Sequence, residues 1–193
     1  MRRGIVNQTC AVAILAIAGC AGSPPQRDHT SEMYSLDGPP PYKYDCSVAN
    51  GFFREVHLPT VGAHLRVTGT IHVLTMQPTP AGWGSVASIG LMDQNLKSGS
   101  ELQLLVIPGA PERIKMLIRS VGGPNSETVF ASQPNTESDI PFIFEVDEGF
   151  FAVSVGEGIV AKLKVPKSGL TRVNLSCSGA HVQFTNMVAT DGQ

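Results

Sequence analysis

The stretch HLRVTGTIHV, residues 64–73, decides the fold. Leu65, Val67, Ile71 and Val73 fall on one side of an extended chain, and His64, Arg66, Thr68, Thr70 and His72 fall on the other. Successive side chains of a β-strand point to opposite faces, so this period of two marks a strand with one face in a core and the other in water. Similar short runs follow: VASIGL (86–91), LQLLVI (102–107), RIKMLIR (113–119) and ETVFA (127–131), each bounded by Gly, Pro, Asn or Ser. PFIFEV (141–146) and FFAVSV (150–155) flank Asp147, Glu148 and Gly149, which reads as a three-residue hairpin with glycine at the left-handed position. IVAKLKV (159–165), TRVNLSC (171–177) and HVQFTNMV (181–188) complete the set. The one helical candidate, RIKMLIR, is too short and runs into Val121, Gly122, Gly123 and Pro124. The expectation is an all-β fold of about ten to twelve short strands, packed as a two-sheet antiparallel β-sandwich of jelly-roll type to manage the strand edges.

Upstream of residue 44 the composition changes. Arg2 and Arg3 precede AVAILAIAG, residues 11–19, and then Cys20. Such a run is far short of the roughly 20 residues that a membrane-crossing helix needs, and it suits a signal peptide. Ile17, Ala18, Gly19 and Cys20 resemble the lipobox of bacterial lipoproteins. That resemblance implies that residues 1–19 are removed and that Cys20 carries the lipid; Ala21, in place of Asp, implies outer-membrane sorting. The alternative is an ordinary secretory signal cut near Ala18 and Gly19. Two or three acyl chains, at about 0.8 kcal/mol per buried methylene, would hold the chain at a membrane without spanning it. The expected location is the bacterial cell envelope, with the membrane as a partner through Cys20. Residues 20–43 contain five prolines and no strand or helix period, and read as a lipidated tether with a reach of roughly 25–30 Å. Residues 44–193 are then the β-sandwich domain.

Loss of Arg2 and Arg3 leaves 12 basic residues against 16 acidic ones, a formal charge of minus four. With no basic run or patch, nothing points to a nucleic-acid partner. Once Cys10 leaves with the signal and Cys20 is acylated, Cys46 and Cys177 remain. In an oxidising compartment they pair, or they stay as two separately buried thiols; Cys177 falls on the inward set with Val173 and Leu175. No CxxC and no Cys/His cluster is present, so neither a zinc site nor any other cofactor is expected.

The strand order over residues 56–188 resembles concanavalin A-like lectin domains, galectin-like jelly rolls among them: LRVTGTIHV near the start, FFAVSVGEGIVAKLKV later, and VNLSCSGAHVQFTNM at the close. The resemblance implies a sugar-binding sandwich. The galectin set of His, Asn, Arg, Val, Asn, Trp, Glu and Arg has no match here, since Trp83 is the only Trp and lies upstream of the family position. Glycoside hydrolases share this fold class and alternate Glu, x, Asp, x, Glu on one strand; Glu145, Val146, Asp147, Glu148 and Gly149 lack the last acid. His57, His64, His72 and His181 read as exposed strand histidines, and His64 and His72 lie about 26 Å apart along an extended chain, too far to share a metal. No GxSxG, HExxH, P-loop or GxGxxG is present. Asn174, Leu175 and Ser176 match a glycosylation sequon. Trp83, between Gly82 and Gly84 in a turn-rich stretch, is the candidate contact residue, as an exposed Trp stacks on sugar rings or grips a partner. The expected function is a non-catalytic lectin-like lipoprotein that binds a glycan or another envelope component. Its alternatives are a polysaccharide hydrolase using Glu145 or Asp147, and a structural or assembly subunit.

Overall fold

The computed structural model describes residues 40–58, 65–78, 84–93, 95, 97–122, 126–147, 149–156, 158–164 and 170–191. These form twelve strands: β1 (Tyr42–Val48), β2 (Arg54–Leu58), β3 (Leu65–Met76), β4 (Ser85–Asp93), β5 (Gly99–Val106), β6 (Arg113–Val121), β7 (Glu127–Pro134), β8 (Ser138–Asp147), β9 (Phe150–Val155), β10 (Ile159–Lys164), β11 (Leu170–Ser178) and β12 (Ala180–Asp191). They assemble into two antiparallel six-stranded sheets. The first has the order β1-β12-β3-β8-β9-β10 and the second β2-β11-β4-β5-β6-β7. The all-β sandwich expected from the period-two runs is therefore the fold, and RIKMLIR is strand β6.

Between the sheets lies one apolar core. Leu65, Val67, Ile71 and Val73 of β3 are buried in it, as the alternation in residues 64–73 requires, and Ile89, Leu102, Leu104, Ile114, Ile118, Val173 and Leu175 meet them from the second sheet. Each such side chain contributes about 1.5–3 kcal/mol of transfer free energy. Phe142, Phe144 and Phe151 add a run of ring contacts with centroids 6.2 and 5.5 Å apart. Gly69 interrupts the alternation of β3 because a Cβ there would lie 2.9 Å from both Met187 Cγ and Phe142 Cζ. Those two side chains fill the space it leaves.

Cys46 of β1 and Cys177 of β11 form a disulfide, with Cα atoms 6.1 Å apart, so the edge of the first sheet is joined to the interior of the second. The alternative of two separate thiols is set aside. The strand β1 begins at Tyr42 and takes in two residues assigned to the tether. Tyr42 explains this extension: it pairs with Met187 of β12 and packs against the core beside Tyr44, whose ring stacks on Phe184 at 6.1 Å. At the β8–β9 hairpin Gly149 has φ +85°, as expected, but Asp147 pairs with Phe150, leaving a connection of two residues rather than three. The sequence reading passed over β2, whose five residues place only Val56 and Leu58 inward.

Candidate functional site

Each sheet has one face in the core and one outside, and the two outer faces are built differently. On the second sheet, strand register sets His57 (β2), Asn174 (β11), Gly90 (β4), Glu101 (β5), Arg119 (β6) and Glu127 (β7) side by side across all six strands. The neighbouring row is Glu55, Ser176, Ser88, Gln103, Leu117 and Val129. Both rows face away from the core, because the residues between them, such as Val56, Leu175, Ile89, Leu102 and Ile118, are the ones the core buries. At a strand spacing of about 4.8 Å, each row spans roughly 24 Å.

Despite facing outward, the middle of this surface is withdrawn from water. Glu101 is 5 % exposed and Asn174 6 %, and Gln103, Ser88 and Ser176 are buried as well. Buried polar atoms destabilise a fold unless they are hydrogen-bonded. Glu101 meets that demand: its Oε1 accepts from Arg119 Nε and from Gln103 Nε2, the latter at 2.7 Å. Ser88 and Ser176 bond each other through their hydroxyls at 2.6 Å. Two of the five buried side-chain atoms that do not meet it among the described residues lie on this face. Asn174 Oδ1 and His57 Nδ1 are buried with no hydrogen-bond partner. Gly90 leaves the row bare between Asn174 and Glu101, where a Cβ would lie 2.7 Å from Glu101 Cβ and 2.9 Å from Ser100 O.

His57 corrects an expectation. Its side chain is 11 % exposed rather than solvated, and its Nε2 lies 3.5 Å from Glu55 Oε1. Burial pushes its pKa below the ordinary histidine value, and the Arg172 guanidinium adds to that by disfavouring the imidazolium. His57 is therefore neutral at neutral pH.

The outer face of the first sheet is solvated and satisfied. Arg66 Nη1 bonds Glu145 Oε1 at 2.5 Å between half-exposed side chains. His72 Nδ1 lies 2.6 Å from Asp139 and its Nε2 3.6 Å from Glu137. Asp45 holds His181 at 3.1 Å and Gln183 at 3.0 Å. Glu145, one of the two hydrolase candidates, is thus one half of a surface ion pair; the side chain of the other, Asp147, lies outside what the structure describes. His57, His72 and His181 lie on three different strands, and no group of metal-ligating side chains occurs among the described residues.

Of the residues singled out from sequence, Cys20, His64 and Trp83 lie outside the described residues, as does the segment 1–39. The sequence reading missed Glu101, Gln103, Arg119 and Asn174. A signal exists: Gln103 is a polar residue inside LQLLVI, and Asn174 and Ser176 alternate with the inward set Val173, Leu175 and Cys177 in TRVNLSC.

The chain folds as a two-sheet antiparallel β-sandwich of the kind that galectins also have. No protein-family model and no curated protein matches this chain. Among solved structures it is similar to a tetrameric galectin from the ball sponge Cinachyrella sp., with a TM-score of 0.51 at 12 % identity over 71 % of this chain and 98 % of that one. Congerin II, liganded with lactose and MES, gives 0.50 at 11 % identity over 71 % and 100 % of the two chains. A functionally unknown protein from Saccharomyces cerevisiae gives 0.52 at 12 % identity over 78 % and 88 %. At these identities the likeness is one of fold.

Proposed function

We propose that this protein is a non-catalytic envelope lipoprotein that binds a glycan on the outer face of its second sheet. One observation carries the reading: on a lectin-like sandwich, that face holds a row of buried polar side chains, two of which end in unpartnered atoms. Sites for neutral polyols combine fixed polar groups with a shape that excludes water. Glu101, held by Arg119 and Gln103, is a preset acceptor that needs no reorganisation when a hydroxyl arrives. Trp83 precedes β4 of the same sheet by two residues and is the stacking residue in this proposal. Cys20 carries the lipid that holds the protein at the outer membrane.

The test is incubation of the purified protein with envelope and plant glycans, scored for retention and for new reducing ends. Retention without cleavage is expected. New reducing ends would replace this reading with a hydrolase, and neither result would leave a structural subunit. For the anchor, Cys20→Ala is expected to abolish palmitate labelling; unchanged labelling would overturn the lipoprotein reading.

A further inference from the structure

We propose that the β2–β11 end of this face is a separate subsite, in which Asn174 Oδ1 and His57 Nδ1 accept hydrogen bonds from neutral hydroxyls of the ligand; the inference rests on the glycan-binding reading above. Asn174 and His57 sit directly opposite each other in the antiparallel pairing of β11 with β2. Side chains so placed have Cβ atoms about 4.5–5.5 Å apart on one face. Both carry a buried atom without a partner. Leaving a buried acceptor unmet destabilises a fold, so two adjacent ones form a place where incoming donors gain more than they would elsewhere, once the side chains that close over them change rotamer to admit the ligand.

The chemistry of the two atoms selects the donor. Asn174 Oδ1 only accepts. His57 is neutral, and the Glu55 carboxylate 3.5 Å from its Nε2 favours the tautomer with the proton on that nitrogen, which leaves Nδ1 as an acceptor. Two acceptors repel a carboxylate or sulfate. Arg172 acts on His57 from β11 as a positive charge while Glu55 lies beside it as a negative one, so neither sign of ligand charge is favoured in the same place. Neutral hydroxyls remain. Gly90, beside Asn174 on β4, leaves the floor without a side chain next to these acceptors. Protonation of His57 would turn Nδ1 into a donor and cancel half of the subsite. The charged groups that bear on that protonation are Glu55 on its own strand and Arg172 on β11.

The experiment titrates the full-length protein with neutral hexasaccharides of glucose, mannose and N-acetylglucosamine, and with the hexamers of galacturonate and glucosamine as charged counterparts. Binding of at least one neutral hexamer above both charged ones is expected, and a preference for either charged hexamer would overturn the proposal. Asn174→Leu removes the unmet acceptor at similar volume, so its melting temperature should equal or exceed that of the wild type while its affinity falls about tenfold. His57→Phe should also lose affinity, together with the wild type's weakening on acidification. Asn174→Leu or His57→Phe with wild-type affinity would overturn the subsite while the glycan reading stands. A lowered melting temperature for Asn174→Leu would also overturn it, by showing that Asn174 serves the fold. A wild type that binds none of the hexamers and none of the wider glycan panel would overturn the glycan reading and the subsite together.

Discussion

The two outer faces share one core and one strand geometry, yet treat polar side chains in opposite ways. On the first sheet Arg66, Glu145, His72, Asp139, Asp45 and His181 stand in water and pair with one another. On the second, Glu101, Gln103 and Asn174 are taken out of water, and the row ends in atoms with no partner. A self-paired exposed face gains little from a ligand, because every new contact must displace an existing one. A face with buried and partly unmet groups has something to gain. Polarity alone therefore does not mark a site; polarity that is buried on the outside of a sheet does.

The strongest way to break this contrast is to loosen the sheets from each other. Replacing Cys46 and Cys177 with Ala opens a covalent loop with a sequence separation of 131, which costs about 5 kcal/mol on the chain-entropy account, read as a lower denaturant midpoint. Glycan retention should fall with it if the buried row depends on a stacked scaffold. A direct comparison of the faces comes next. Arg119→Met leaves the Glu101 carboxylate buried with only Gln103 and should destabilise by about 2–3 kcal/mol, a value reduced from that of a fully buried pair because Arg119 is itself half exposed. Arg66→Met on the other face breaks a pair exposed on both sides and should cost under about 1 kcal/mol. Equal losses would dissolve the distinction. Trp83→Ala should leave stability within about 1 kcal/mol while abolishing retention, whereas a Trp lid on the core would cost about 3–5 kcal/mol. Its emission, the only Trp signal in the chain, should be red-shifted and quenchable.

The smallest effect is one of slope. Unfolded, His57 takes up a proton near the ordinary histidine value of about 6.5, whereas folded it resists protonation to lower pH because of burial and then Arg172. Its contribution is complete above about pH 6.5 and is lost as pH falls through the lower folded value. A urea series between pH 7.5 and 5 should show His57→Gln losing less stability on acidification than the wild type. An identical slope would mean that His57 is solvated.

The fold was legible because its signal is redundant: Leu65, Val67, Ile71 and Val73 repeat the inward pattern that Val173, Leu175 and Cys177 show again more than a hundred residues later. Short β2 escaped because two inward residues make no period. The candidate site was harder to see. Its members come from five strands, and only register brings His57, Asn174, Gly90, Glu101 and Arg119 abreast. Alternation does say that Gln103 faces away from Leu102 and Leu104, but it cannot say that an outward glutamine is buried, since that depends on neighbours far away in sequence. His57 was read as exposed for the same reason.

The disulfide also determines how the domain bears a mechanical load. β1 is an edge strand, held by β12 alone from Tyr42 opposite Met187 to Val48 opposite Ala180. A pull on the chain ahead of Tyr42 would unzip such an edge pair by pair. Here the peeling stops at Cys46, where the covalent bond hands the force to β11, a strand gripped on both sides by β2 and β4. Tension that would have opened a zipper must instead shear an interior strand, and the chain between Cys46 and Cys177 contributes no slack to the extension. Asn174 and Ser176 of the second sheet's outer rows lie on that same strand, so a pull from the N-terminal side reaches the rows only through a strand held on both edges.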